Sequence, residues 1–151
     1  MKVALIGAGA IGGYVGAKLA LAGEEVTFIA RGANLEAIKA RGIKLIDNDG
    51  TEHVVPNVKV TDNYAEAGVH ELVILALKAH QVDAVADDVA KLMGPDTVVV
   101  TMQNGIPFWY FHKHGGQLEG YTVKSVDPTG QLASKIDPGR ILGCVSIRPP
   151  N

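Results

Sequence analysis

Gly7, Gly9 and Gly12 stand in the spacing G-x-G-x-x-G, directly after the apolar run Val3 to Ile6 and at the mouth of a helical pattern. That spacing suits a phosphate cradle. The first glycine permits a tight strand-to-helix turn, the second lets the backbone approach a pyrophosphate, and the third lets helix and strand pack closely. The helix start then offers unsatisfied N–H groups and a partial positive charge to an anion. Gly7, Ala8, Gly9, Ala10, Ile11 and Gly12 are therefore candidate pyrophosphate-binding residues of a dinucleotide site. The motif alone is weak, and its strand–turn–helix context makes it specific. The alternative is a glycine-rich helix contact with no ligand.

Arg31 closes the apolar run of "TFIARG" about twenty residues after the glycines, where an NAD-binding protein carries an acid for the ribose 2′-hydroxyl. An acid there would repel a 2′-phosphate, whereas arginine offers that phosphate a planar fork of donors. Ile29, Ala30, Gly32 and Ala33 supply no competing acid, and Glu24 and Glu25 lie at the far end of the strand. The pattern points to NADP(H). The plainer alternative is an exposed arginine closing a strand.

Lys78 and Asn104 follow the apolar runs Leu72 to Leu77 and Val98 to Met102. Both therefore sit at carboxyl ends of expected parallel strands, where open α/β sheets bind ligands. From position alone, a surface lysine and a plain Asn-Gly turn compete with that reading.

These residues need elements to hold them. Short continuous apolar runs predict buried parallel strands at Val3 to Ile6, Val26 to Ala30, Leu72 to Leu77, Val98 to Met102 and Ile141 to Ile147. Helices are expected from Ile11 to Ala22 with Gly23 as C-cap, from Leu35 to Arg41 behind an Asn34 N-cap and before Gly42, and from about His80 to Met93, stopped by Gly94-Pro95. Between Ile43 and Val60 the alternating stretches "IKLI" and "EHVV" flank "DNDG", a hairpin signal that predicts an antiparallel insertion. The fold expected is α/β, a Rossmann-type doubly wound, mostly parallel sheet with helices on both faces.

At 151 residues, 47% apolar and 20% charged, the chain has enough material for one domain spanning 1–151. A net charge of −2 with scattered basic residues gives no reason to expect a nucleic-acid or membrane partner. The single cysteine, Cys144, excludes an internal disulfide framework and fits the reducing cytoplasm. Lys2 and the run to Ala22 superficially resemble a secretory signal, but five glycines interrupt it where a nucleotide loop needs them. Weaker candidates complete the inventory. His80 reads as solvent-facing, and His112 and His114 lack further ligands at metal-site spacing, so no metal is expected. The aromatic run 108–111 could wall a substrate pocket or pack against a neighbour. Cys144, in an apolar strand, reads as core.

The order "MKVALIGAGAIGGYVGAKLALAGEEVTFIARG", "LALKAHQV", "TMQNGIP" resembles the ketopantoate reductase (2-dehydropantoate 2-reductase) family, over essentially the whole chain. The resemblance implies NADPH as cofactor and hydride reduction of the 2-keto acid ketopantoate to pantoate, in pantothenate and coenzyme A synthesis. It implies that Gly7 to Gly12 hold the pyrophosphate and Arg31 the 2′-phosphate. Lys78 and Gln81 would face the cofactor ribose and the cleft, and Asn104 the nicotinamide ribose and the substrate. The family's proton-donating lysine belongs to a helical C-terminal domain with no counterpart in this sequence. The catalytic residues are thus unknown here, and the expectation is an N-terminal fragment or isolated domain that binds cofactor without turnover. The resemblance leaves a homodimer open for the full-length protein. The alternatives are a reductase of another 2-keto acid and a non-catalytic NADP-binding or sensing module.

Overall fold

The computed structural model describes residues 1–145. Its centre is a six-stranded parallel sheet ordered β5-β2-β1-β6-β7-β8, built from β1 (Lys2–Ile6), β2 (Glu25–Ile29), β5 (Lys59–Thr61), β6 (His70–Leu75), β7 (Met93–Thr101) and β8 (Ile141–Gly143). A separate antiparallel hairpin joins β3 (Ile43–Ile46) to β4 (Glu52–Val55). The helices are α1 (Ala10–Leu21), α2 (Ala33–Arg41), α3 (Tyr64–Ala67), α4 (Ala79–Val82), α5 (Ala86–Ala90) and α6 (Gln131–Lys135).

Side chains alternate across a strand, so β1 feeds two cores. Val3 and Leu5 point into one with Val26, Phe28 and Ile74, covered by Val15 and Leu19 of α1. Ala4 and Ile6 point into the other, which Val82, Ala86, Val89, Leu132 and Ile136 cover from α4 through α6. Both faces of the sheet are therefore buried, which explains why its strands read as unbroken apolar runs. Leu35 and Ile38 of α2 form a smaller cluster with Ala30 on the α1 side. The α/β doubly wound arrangement with its small antiparallel insertion is the one the sequence pattern predicts.

Four expectations need correction. Gly32, not Asn34, caps α2, and no side chain bonds to that cap. The insertion stops at Val55, because Val60 belongs to β5 and pairs in parallel with Phe28 of the main sheet. The helix expected from His80 to Met93 is broken into α4, a 3₁₀ turn at Asp83–Val85 and α5. Gly94-Pro95 does not separate helix from strand but lies inside β7. Thr97 explains this: its hydroxyl accepts from Gly94 N–H at 2.7 Å and donates to the His70 carbonyl at 2.6 Å, pinning the start of β7 to β6 at a register shift.

The last strand is shorter than its apolar run. β8 ends at Gly143, and residues 146–147 of the expected strand lie outside the described residues. Cys144 is half-buried just past β8 instead of being core. Between β7 and β8 the chain makes a long irregular excursion. The fully buried Asp127 organises its end, its carboxylate accepting from Leu132 and Ala133 N–H at 3.2 Å each.

Candidate functional site

Strands β2, β1, β6 and β7 are consecutive neighbours, so Arg31, Gly7 to Gly12, Lys78 and Asn104 fall in that order along one carboxyl edge. Three strand gaps span roughly 14 Å. Residues scattered over a hundred positions of sequence become a row along the crevice where the strand order reverses, the ligand position of this architecture.

The turn after β1 is built by exclusion. Gly7 takes φ +98°, and a Cβ there would lie 2.9 Å from both the Ala76 carbonyl oxygen and Leu77 Cδ2. A Cβ on Gly12 would lie 2.0 Å from the Gly7 carbonyl oxygen. Gly9 has nothing within 4 Å of that position, so its side of the turn is open to a ligand. The close helix–strand approach expected of Gly12 is shared with Gly16, whose Cβ would meet the Phe28 ring at 2.4 Å. Sequence reasoning missed Gly16, although its i,i+4 spacing from Gly12 places both on one helix face.

At its N-terminus α1 has no side-chain cap and no acid in the first turn. Its first ladder bond runs from Gly13 N–H to the Gly9 carbonyl at 2.7 Å. The leading N–H groups keep their partial positive charge for an anion. Arg31 is exposed, and its guanidinium makes no hydrogen bond or ion pair among the described residues. An uncapped helix start beside an unpaired arginine is a donor set that fits a phosphate-bearing nucleotide. Tyr64 is half-buried within electrostatic reach of Arg31. Burial and the negative charge of Asp88 push its phenol up to about 12, against the opposing pull of Arg31.

Lys78 stands at the N-cap of α4. Its N–H donates to Gln81 Oε1 at 3.1 Å, and its carbonyl accepts from Gln81 N–H at 2.9 Å. The Gln81 amide oxygen is thus occupied in closing the helix, leaving its NH2 group for the edge. Asn104 lies three residues past β7, just after Gln103, whose Nε2 donates to the Leu75 carbonyl at 2.8 Å. Gln103, absent from the sequence candidates, ties the ends of β6 and β7 together and so fixes where Asn104 begins.

Asn104 also borders a cavity of about 680 Å³ at the carboxyl ends of β7 and β8. Ile106, Phe108, Trp109 and Leu132 give it mostly apolar walls, and Cys144 adds a thiol. The aromatic run divides. Phe108, Trp109 and Tyr110 face the cavity, while Phe111 stacks edge-on with Tyr110, His114 and Tyr121 at 5.0 to 5.7 Å. The Trp109 indole N–H is buried and has no hydrogen-bond partner among the described residues. His80 is exposed on α4, and His114 bonds through Nδ1 to the Gly115 carbonyl. Among the described residues no group of three or more metal-ligating side chains comes together, and no helix is long and apolar enough to cross a membrane.

Residues 3–108, the span of this chain that contains the glycine turn, Arg31, Lys78 and Asn104, match the model of the ketopantoate reductase PanE/ApbA family. The chain belongs to the ketopantoate reductase family. The 2-dehydropantoate 2-reductase of Mesorhizobium japonicum is 50% identical over 146 residues, 96% of this chain and 44% of that protein. The enzyme of the same name from Pyrococcus horikoshii is 41% identical over 106 residues, 70% of this chain and 34% of that protein. Among solved structures, a Ralstonia solanacearum protein assigned to the ketopantoate reductases superposes with a TM-score of 0.90 at 43% identity, covering 97% of this chain and 44% of that one. A complex of D-mandelate dehydrogenase with NADH superposes at 0.58 with 31% identity, covering 70% and 32%. The chain spans less than half the length of these ketopantoate reductase relatives.

Proposed function

We propose that this chain is the NADPH-holding part of a reductase that converts a 2-keto acid to its 2-hydroxy acid, ketopantoate to pantoate in the first instance. The observation that carries the nucleotide choice is the Arg31 guanidinium just past β2, which has no hydrogen bond or ion pair among the described residues. A D-mandelate dehydrogenase that holds NADH shares the fold, so the choice rests on that side chain and not on the architecture.

In this reading the open backbone at Gly9 and the α1 start bind the pyrophosphate, with Ala8, Ala10 and Ile11 forming the rest of the cradle. Arg31 binds the 2′-phosphate. Lys78 and the Gln81 NH2 group hold the ribose side of the crevice, and Asn104 orients the substrate-facing end. When bound, the reduced nicotinamide supplies hydride to the carbonyl carbon. In this reading the proton donor that completes the alcohol lies outside this chain, so the chain alone binds and orients the cofactor without turnover. The substrate in this reading is the one named for the 2-dehydropantoate 2-reductase relatives. The apolar cavity beside Asn104 favours a second reading within the same chemistry, a 2-keto acid with a different apolar side chain.

The test is parallel titration of the protein with NADPH and NADH, repeated on Arg31→Ala. Removing a charge-assisted phosphate contact costs about 1.5–3 kcal/mol, and the loss is expected for NADPH alone. Equal affinity of the unsubstituted protein for the two nucleotides would sink the NADPH assignment.

A further inference from the structure

Arg31 does not stand alone at the end of the sheet. β2 and β5 pair in register from Thr27 opposite Lys59 to Ile29 opposite Thr61, and the Ala30 N–H donates to the Thr61 carbonyl at 3.1 Å. Both chains leave the sheet there, on the same edge. Arg31 follows two residues after Ile29, and Tyr64 three after Thr61.

The path from Thr61 to Tyr64 is rigidly held. Thr61 Oγ1 accepts from Asn63 N–H at 3.0 Å and donates to Glu66 at 3.1 Å. Asn63 Oδ1 caps α3 by accepting from Ala65 and Glu66 N–H at 3.0 and 3.3 Å. Tyr64, the first residue of α3, packs its ring against the core that Val82, Ala86 and Val89 help to form. Its hydroxyl has no hydrogen-bond partner among the described residues, and Arg31 is close enough to act on it electrostatically. Two donors without acceptors among the described residues therefore lie past the ends of adjacent strands on one edge of the sheet, within electrostatic reach of each other.

We propose that Tyr64 is a second specificity-determining residue, donating its hydroxyl to the same 2′-phosphate that Arg31 grips; this rests on the NADP reading above. A phosphate monoester has the oxygens to accept from a guanidinium and a phenol together. A phenol held at about 12 stays protonated across the physiological range, so it presents a donor and never a repelling phenolate. Asp88, the anion facing Tyr64, is tied to Lys91 at 2.6 Å, which offsets its charge against an incoming phosphate. The bound ribose hydroxyl of NAD could satisfy the tyrosine but would leave the arginine without an anion, so the pair together favours the phosphorylated form.

The probes are 2′,5′-ADP and 5′-ADP, titrated calorimetrically into the unsubstituted protein, Tyr64→Phe and Arg31→Ala. Tyr64→Phe keeps the ring and its packing, and an unchanged melting temperature without ligand confirms that the fold is intact. The expected result is about tenfold weaker binding of 2′,5′-ADP to Tyr64→Phe, with 5′-ADP unaffected. Equal weakening of both probes would overturn the proposal by making Tyr64 a packing residue, and no change in either would make its hydroxyl a solvated bystander. If Arg31→Ala loses 2′,5′-ADP selectively while Tyr64→Phe does not, only the tyrosine falls. If neither variant discriminates the probes, the NADP reading falls with it.

Discussion

The two ends of the crevice are made in different ways. At the nucleotide end, β1 and β2 are buried strands, and the turn between β1 and α1 is shaped by backbone carbonyl oxygens, of Ala76 and of Gly7, that exclude a Cβ at Gly7 and at Gly12. At the other end, the cavity beside Asn104 is walled by side chains carried on the irregular excursion between β7 and β8. That end leaves Ile106 and Leu142 each 60% exposed. Backbone geometry cannot be retuned one residue at a time, whereas walls of side chains can. The architecture thus fixes what is common to dinucleotide chemistry and leaves the substrate end free to vary.

The largest expected effect lies at the fixed end. Gly12→Ala puts a methyl group 2.0 Å from the Gly7 carbonyl, backbone against helix, with no flexible side chain to give way. It should cost about 3 kcal/mol or more and abolish nucleotide binding, read as melting temperature and NADPH titration together. A well-folded, NADPH-binding Gly12→Ala protein would erase the distinction between the two ends. Leu132→Ala is the matching test at the variable end. Leu132 is 2% exposed and anchors the excursion to the core shared by α4 and α5. Truncation should cost about 2–4 kcal/mol and lower hydrogen-exchange protection first across residues 105–140, with the β1–α1 turn spared. Uniform loss of protection through both ends would mean that they unfold as one unit, contrary to the contrast drawn here.

That contrast also governs what could be read from sequence. The parallel strands announced themselves because burial on two faces demands continuous apolar runs. The glycine turn did so because sterics leave no other residue type. Where side-chain bonds override local pattern, the reading failed. Thr97 carries β7 through Gly94-Pro95, which by composition ought to separate helix from strand. Val60 looked like part of the hairpin until its pairing with Phe28 placed it in the main sheet. Gln103 and Tyr64 escaped notice because their positions depend on strands that pair across long stretches of sequence. Asn104 and Lys78 were legible as strand-end residues and the aromatic run 108–111 as one possible pocket wall, but the other walls were not, since the cavity forms only when residues 79–82, 101–110 and 126–145 converge.

The smallest effect distinguishes a third kind of fastening, on the outer side of α1. Asp47 at the edge of the hairpin accepts from Lys18 Nζ of α1 at 2.7 Å and from His53 Nε2 at 3.0 Å. The Lys18 hydrogen bond, with the lysine and histidine charges behind it, holds the Asp47 carboxyl below its ordinary range. A carboxylate lowered on folding contributes stability above its unfolded value near pH 4, and that contribution disappears as pH falls through the lower folded value. Asp47→Asn should therefore melt slightly below the unsubstituted protein at pH 7, and the two should converge as the pH drops below about 4. High salt at pH 7 should also narrow the gap, because the pair is only partly shielded from solvent. NADPH affinity should not move, since the inner face of α1 is held by Gly12 and Gly16 and not by this ion pair. A gap that persists at low pH, or a loss of nucleotide binding, would show that the hairpin shapes the cradle from outside. The fixed end would then depend on a partly buried ion pair as well as on glycine contacts.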